Sequence, residues 1–310
     1  MKDIKKIVIA GAGLMGTSMA QIFAKYGYEV LIYDLIDDAL DKSRELIRIN
    51  QEEQVKMGEL SLDESIILRN RLSHSTDIDS FSDCDLVVES IVEKLEIKQA
   101  FWKEVSAIVP DDALLATNTS GLSITAIAKD INKPERFCGM HWFNPAHLIP
   151  LVEVIKGDKS SDETCKEIYD LALKIGKEPI NVKKDALGFI GNRIQLAILR
   201  ESLHIIESGI GEFEDVDRAM KYGLGFRYAC LGPFEVCDFG GLDTFYHIQS
   251  YLNEDLCDAK EPQKTLKDLY DKGEFGVKAG KGFYDYSNGK DEEAIRKRDE
   301  LYMKVSKLLK

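Results

Sequence analysis

The feature that most constrains this chain lies before residue 35. Lys6-Ile7-Val8-Ile9-Ala10 is a β-branched run without polar alternation, as a strand buried on both faces of a parallel sheet requires. It meets Gly11-Ala12-Gly13-Leu14-Met15-Gly16, after which Thr17 to Tyr26 has helical spacing, with Met19, Ile22, Phe23 and Tyr26 on one face. Gly27 ends that helix, and Glu29 to Tyr33 makes a second strand that closes on Asp34. A lone G-x-G-x-x-G is a weak signal. Set between the strand and helix of a β-α-β unit, with an acid 18 residues after its last glycine, it is a strong one. Gly11 permits the tight turn, Gly13 lets the backbone approach a pyrophosphate, and Gly16 lets helix pack on strand. With Leu14 and Met15 they open a helix whose unpaired N–H groups and partial positive charge suit that anion. Asp34 would accept hydrogen bonds from a ribose 2′-hydroxyl and repel a 2′-phosphate. Leu35, Ile36, Asp37 and Asp38 follow it, with no arginine among them, which favours NAD over NADP.

The α/β rhythm continues. Asp37–Met57 reads as a long helix with Leu40, Leu46, Ile47 and Val55 inward, and a second helix runs near Asp63–Leu72. Strands are expected at Asp85–Ser90, Ala113–Asn118, Phe137–Phe143, Leu151–Lys156 and Pro179–Val182, with helices near Lys94–Ile108, Ser123–Ile131 and Asp162–Ile175. This alternation predicts a Rossmann-type, doubly wound parallel sheet. After Asp185 the pattern becomes helical throughout: 189–207, 213–222, 234–252, 263–271 and 291–310, punctuated by Gly209, Gly211, Gly223, Gly232-Pro233 and Gly240-Gly241. The expected organisation is a dinucleotide-binding domain at 1–185 and an all-helical domain at 186–310. The stripe Ile295, Tyr302, Val305, Leu309 reads as packing, here against a partner subunit.

Composition removes whole classes of function. The chain has 310 residues, 44% hydrophobic and 31% charged, which excludes disordered, collagen-like and disulfide-scaffold proteins. With 41 basic and 54 acidic side chains the net charge is −13, so nothing overall attracts nucleic acid or an anionic membrane. The six cysteines form no C-x-x-C pair and no metal-ligand spacing, so no metal is expected, and they read as thiols of a reducing cytosol. No apolar run approaches the ~20 residues of a membrane helix. The charged start, Met1 to Lys6, does not resemble a signal peptide.

Among five histidines, His141 stands at the carboxyl end of an expected strand, where open α/β sheets form their ligand crevices. Glu153 lies inside the apolar run Leu151-Val152-Glu153-Val154-Ile155, and an acid there is costly to bury unpaired. Pairing with the His141 imidazole would resolve that cost, orient the ring and raise its basicity. Asn118-Thr119-Ser120 follows a strand at the same sheet edge, although Ser120 could instead cap the helix beginning at Ser123. Asn192 sits in the first turn of the helical region.

GAGLMG with Asp34, NTSGLSIT at 118–125, GMHWFNP at 139–145, LVEVIKG at 151–157, GFIGNR at 188–193, GPFEVCDFGGLD at 232–243 and GKGFYDY at 280–286 follow one another in this order. Together they resemble the L-3-hydroxyacyl-CoA dehydrogenase family, up to Tyr286. The resemblance implies oxidation of a 3-hydroxyl by NAD and a helical domain that builds a homodimer. It implies that His141 is the general base, Glu153 its orienting acid, and that Ser120 and Asn192 hold the hydroxyl or carbonyl oxygen. Glu93, Lys98, Asn144 and Lys278 match cofactor contacts, alongside Asn118 and Ser120.

Three stretches depart from the family's pattern. Members that bind coenzyme A carry a serine and lysines on the hairpin after the second strand, whereas 50–59 here holds one lysine against Glu52, Glu53 and Glu59. His141-Trp142-Phe143-Asn144-Pro145 continues as Ala146-His147-Leu148-Ile149-Pro150, and Gly225–Leu231 is long and contains Arg227. These features resemble relatives that act on free acids: gulonate 3-dehydrogenase, carnitine dehydrogenase and a pyridine-carboxylate dehydrogenase. Arg227 is then a candidate carboxylate clamp, or a surface arginine. The leading expectation is an L-3-hydroxyacyl-CoA such as 3-hydroxybutyryl-CoA, with a small free hydroxy acid as close alternative and a non-catalytic NAD-binding protein behind both.

Overall fold

The computed structural model describes residues 3–58 and 60–309. Met1, Lys2, Glu59 and Lys310 lie outside the described residues, and with them the very start of the chain, one acid of the 50–59 stretch and the last tail residue. Two compact units divide the chain, Met1–Arg193 and Ile194–Lys310.

The first unit holds one sheet of eight strands: β1 (Lys6–Ala10), β2 (Glu29–Tyr33), β3 (Leu72–Ser75), β4 (Leu86–Glu89), β5 (Leu114–Thr117), β6 (Phe137–Trp142), β7 (Leu151–Ile155) and β8 (Glu178–Val182). Their order is β3-β2-β1-β4-β5-β6-β7-β8. The chain winds outward from β1 in both directions, so the crevice of a doubly wound sheet opens beside the carboxyl ends of β1 and β4. Helices α1 (Leu14–Lys25), α2 (Asp37–Lys56), α3 (Leu62–Asn70), α4 (Leu95–Ile108), α5 (Ile124–Ile127) and α6 (Asp162–Lys174) cover the two faces. Successive residues of β1 feed opposite layers. Ile7 and Ile9 pack with Met19, Phe23 and Val88, while Val8 and Ala10 pack with Phe81, Trp102 and Leu115. That two-sided burial is why the strand reads as an unbroken apolar run.

The sheet departs from the expected all-parallel order at one place: β6 and β7 run antiparallel. Only residues 143–150 connect them, too few for the helical crossover that a parallel neighbour needs. Strand β3 was not anticipated; Leu-Ser-His-Ser at the sheet edge has neither an apolar run nor alternation. Tyr26, expected inward, is 47% exposed beyond the last residue of α1.

α7 (Gly191–Glu207) starts at the end of the first unit and runs into the second, which adds α8 (Phe213–Ala219), a π-helical turn at Met220–Leu224, α9 (Gly225–Tyr228), α10 (Pro233–Gly240), α11 (Leu242–Leu252), α12 (Lys264–Asp271) and α13 (Lys290–Leu308). The single helix expected over 234–252 is two, because Gly241 at φ +89 breaks the run. Among the described residues, no helix is long and apolar enough to cross a membrane.

Candidate active site

The turn after β1 has the shape of a dinucleotide cradle. Gly11 lies at φ +110, and a Cβ on it would meet Ser90 O at 2.5 Å; one on Gly16 would meet Gly11 O at 1.9 Å. Both glycines are therefore demanded by backbone packing. Gly13 differs: a Cβ there would meet nothing within 4 Å, and as N-cap of α1 it leaves the first N–H groups without a side-chain partner. Open space in front of free donors fits a pyrophosphate. Asp34 joins the cradle, Oδ2 accepting from Ala12 N at 2.9 Å and Oδ1 from Ile36 N at 3.1 Å. Leu14 is 60% exposed, while Met15 packs half-buried on the core. Asn118 ties three strand ends together: Oδ1 accepts from Trp142 N at 2.9 Å and Nδ2 donates to Ser90 Oγ at 3.3 Å.

His141 and Glu153 face each other across the antiparallel rungs of β6 and β7. His141 Nδ1 lies 2.7 Å from Glu153 Oε2, with both side chains buried. The other carboxylate oxygen, Oε1, accepts from Ile190 N at 3.0 Å and Gly191 N at 2.9 Å. Burial pushes the Glu153 carboxyl up, but the bonds from His141, Gly191 and Ile190 outweigh it and hold the group below its ordinary range. An ionised Glu153 accepts a hydrogen bond from Nδ1–H, which leaves Nε2 as the nitrogen with a free lone pair. Two rings fix the imidazole plane, Phe143 at 4.6 Å and Phe189 at 5.7 Å between centroids. Phe189 itself sits at φ +52, a conformation that disfavours a bulky side chain. Its buried ring against His141 holds it there, and that twist leads the next two amides onto Glu153.

Ser120 and Asn192 also meet. Asn192 Nδ2 donates to Ser120 O at 2.7 Å, and Glu93 Oε1 accepts from Ser120 N at 2.8 Å and Thr119 Oγ1 at 2.5 Å. Ser120 is exposed at the end of β5, and Ser123, not Ser120, caps α5. Lys98 is fully buried, its ammonium bonded to Glu89 and 3.3 Å from Glu93 Oε2. Asn144 is exposed just beyond β6. Arg227 and Lys278 belong to the second unit: the first is exposed on α9, and the second places its ammonium 5.4 Å above the Phe275 ring.

Several contributors escaped sequence reasoning. Ile190 and Gly191 act through backbone N–H groups, which leave no side-chain signature. Asp185 accepts from Ser123 Oγ, Ile124 N and Thr125 N, fixing the start of α5; an acid just before a glycine-rich turn was the available clue. Along α2, Lys42 pairs with Asp38, Arg44 with Asp41, and Arg48 with both Glu45 and Glu52, so these three cations are matched by acids of their own helix.

Residues 6–186 match the family described as 3-hydroxyacyl-CoA dehydrogenase, NAD binding domain, and residues 188–286 its C-terminal domain. A probable 3-hydroxybutyryl-CoA dehydrogenase of Deinococcus radiodurans is 38% identical over 91% of this chain and 100% of its own. Among solved structures, the 5-formyl-3-hydroxy-2-methylpyridine 4-carboxylic acid 5-dehydrogenase, described as an NAD+-dependent dismutase, superposes with a TM-score of 0.91 at 32% identity, covering 99% of this chain and 98% of that one. The (S)-3-hydroxybutyryl-CoA dehydrogenase of Ralstonia eutropha, also 32% identical, gives 0.77 over 92% of this chain and 100% of its own.

Proposed function

The chain belongs to the 3-hydroxyacyl-CoA dehydrogenase family and is an NAD-dependent oxidoreductase acting on CH–OH groups; within that frame we propose that it oxidises a small free carboxylic acid bearing a hydroxyl, using the His141–Glu153 pair. The observation that carries the chemistry is the 2.7 Å contact between a buried imidazole and a buried carboxylate that is also bonded to two backbone amides. The Gly11–Gly16 cradle and Asp34 would hold NAD, which when bound would supply the hydride acceptor. His141 Nε2 removes the hydroxyl proton, and Glu153 stabilises the imidazolium that results. Ser120 and the Asn192 amide stabilise charge on the oxygen as it becomes a carbonyl. Arg227, exposed on α9, is the residue whose guanidinium would suit a carboxylate.

Two observations favour the free acid. At equal identity the backbone follows the pyridine-carboxylate enzyme more closely than the hydroxybutyryl-CoA enzyme. On α2, Lys42, Arg44 and Arg48, which could meet the phosphates of coenzyme A, each pair with an acid of the same helix. The acyl-CoA thioester is the second reading, favoured by the 38% identity to a protein named for that substrate. The reading also includes a cytoplasmic homodimer, the dimer supported by strongly exposed aromatics on α10, Phe234 at 85% and Phe239 at 82%.

The test is initial rates at 340 nm, with NADH and acetoacetyl-CoA on one side and NAD with 3-hydroxybutyrate, gulonate or carnitine on the other. Turnover of a free acid, with a loss of about 100-fold or more in His141→Asn, is expected. Turnover of the thioester alone would transfer the assignment to the second reading. Full activity in His141→Asn would remove the catalytic pair.

A further inference from the structure

Glu89 ends β4 beneath the site and is fully buried, yet it is a charged group whose donors come from four directions. Its Oε1 accepts from the Lys98 ammonium and from Ile91 N at 2.9 Å; its Oε2 accepts from Trp102 Nε1 at 3.1 Å and Thr117 Oγ1 at 2.7 Å. Lys98 is equally buried and uses its remaining reach on Glu93 Oε2 at 3.3 Å. Glu93 in turn holds Ser120 N and Thr119 Oγ1, and Ser120 O receives Asn192 Nδ2. A continuous line of charged contacts thus runs from the sheet floor to the loop that carries the site.

We propose that Glu89 is a positioning residue that sets Ser120 through Lys98 and Glu93. Two carboxylates share one ammonium, so Lys98 is held between them. Fixing the ammonium fixes the inner oxygen of Glu93, and the outer oxygen then holds the Ser120 backbone in one place. A cluster that served packing alone would gain nothing from carrying two buried charges, since apolar side chains of like volume fill such a site at least as well. The proposal rests on reading Ser120 as the residue that meets the reacting oxygen.

The experiment compares Glu89→Gln with Trp102→Phe. The first removes the charge that anchors Lys98; the second removes one neutral donor to Glu89 and leaves the ion pair intact. Glu89→Gln is expected to raise amide hydrogen exchange at Ser120 about tenfold while Leu115, in the β5 ladder, keeps its wild-type rate. On whichever substrate the wild type turns over, kcat is expected to fall about tenfold, whereas Trp102→Phe keeps kcat within about twofold. Should Glu89→Gln fail to fold, the double variant Glu89→Gln/Lys98→Met removes both buried charges together and carries the same measurements. Wild-type exchange at Ser120, or a kcat loss that Trp102→Phe reproduces, overturns the proposal. The exchange measurement needs no substrate, so it stands apart from the substrate assignment, which the His141→Asn assay tests.

Discussion

Gly191 donates its backbone N–H to Glu153 Oε1 at 2.9 Å, joining the first residue of α7 to an acid in mid-strand. The positive end of a helix is a favourable neighbour for a carboxylate. With Ile190 N on the same oxygen and His141 on the other, Glu153 has partners on both sides. The adjacent residue, Asn192, binds Ser120 O. One turn of backbone therefore serves both residue pairs of the site.

Glu153 should hold its charge to lower pH than an ordinary carboxylate. Its pKa is depressed in the fold, so its contribution is complete above the ordinary carboxylate value of about 4.3 and disappears as pH falls through the lower folded value. Asp185, held down by Ser123, Thr125 and Ile124 against the effect of burial, acts in the same direction. Thermal unfolding of the wild type should weaken gradually below about pH 6.5, because burial pushes His74 down to about 4 and the unfolded chain takes up that proton first, and weaken further below about 4 as Glu153 and Asp185 protonate. Glu153→Gln should unfold at a lower temperature near neutrality and show a shallower decline in acid. An identical acid slope in the two proteins would mean Glu153 is not the group responsible.

Gly191 has no room for a side chain. A Cβ there would lie 2.5 Å from Cζ of Phe143, the ring that packs on His141. Gly191→Ala should cost about 1–3 kcal/mol in denaturant unfolding and, by tilting that ring, lower kcat more than it alters KM. Unchanged turnover would separate the Phe143 ring from the chemistry.

Gly13 and Gly16 should behave differently when each is changed to alanine. Gly16→Ala drives a Cβ into Gly11 O and should fold poorly. Gly13→Ala meets nothing within the protein and should keep the wild-type melting temperature, yet weaken NADH binding by about tenfold as read by tryptophan quenching. Full NADH affinity in Gly13→Ala would contradict the cradle.

Charge on α2 should tune substrate choice. Replacing Glu45 and Glu52 by lysine releases Arg48 from both its partners. KM for acetoacetyl-CoA should fall several-fold, about what a few exposed charges contribute, with KM for a free acid unmoved. No change toward the thioester would show that α2 does not discriminate against it.

Much of this was legible in sequence, for reasons that differ residue by residue. The glycine turn and Asp34 announce themselves because each type answers a steric or electrostatic demand. Glu153 stood out as an acid in an apolar strand, and its partner His141 as an imidazole at a strand end. The direction of β7 was hidden, since a buried strand reads alike in both directions; the brevity of 143–150 was the only clue. Strand β3 was hidden because Leu-Ser-His-Ser owes its conformation to pairing with β2 and not to its own pattern. Glu89 was passed over inside Leu-Val-Val-Glu, where its side-chain donors come from α4 and β5.

The antiparallel pairing of β6 with β7 has a consequence for evolution and engineering alike. His141 meets Glu153 because the 143–150 connection sets which rungs coincide. Side chains alternate between faces, so sliding β7 by a single rung would carry Glu153 to the opposite side of the sheet. Residues can be exchanged within that loop, but its length is counted: a one-residue insertion or deletion transmitted into β7 would uncouple the acid from the imidazole while leaving both side chains in the sequence.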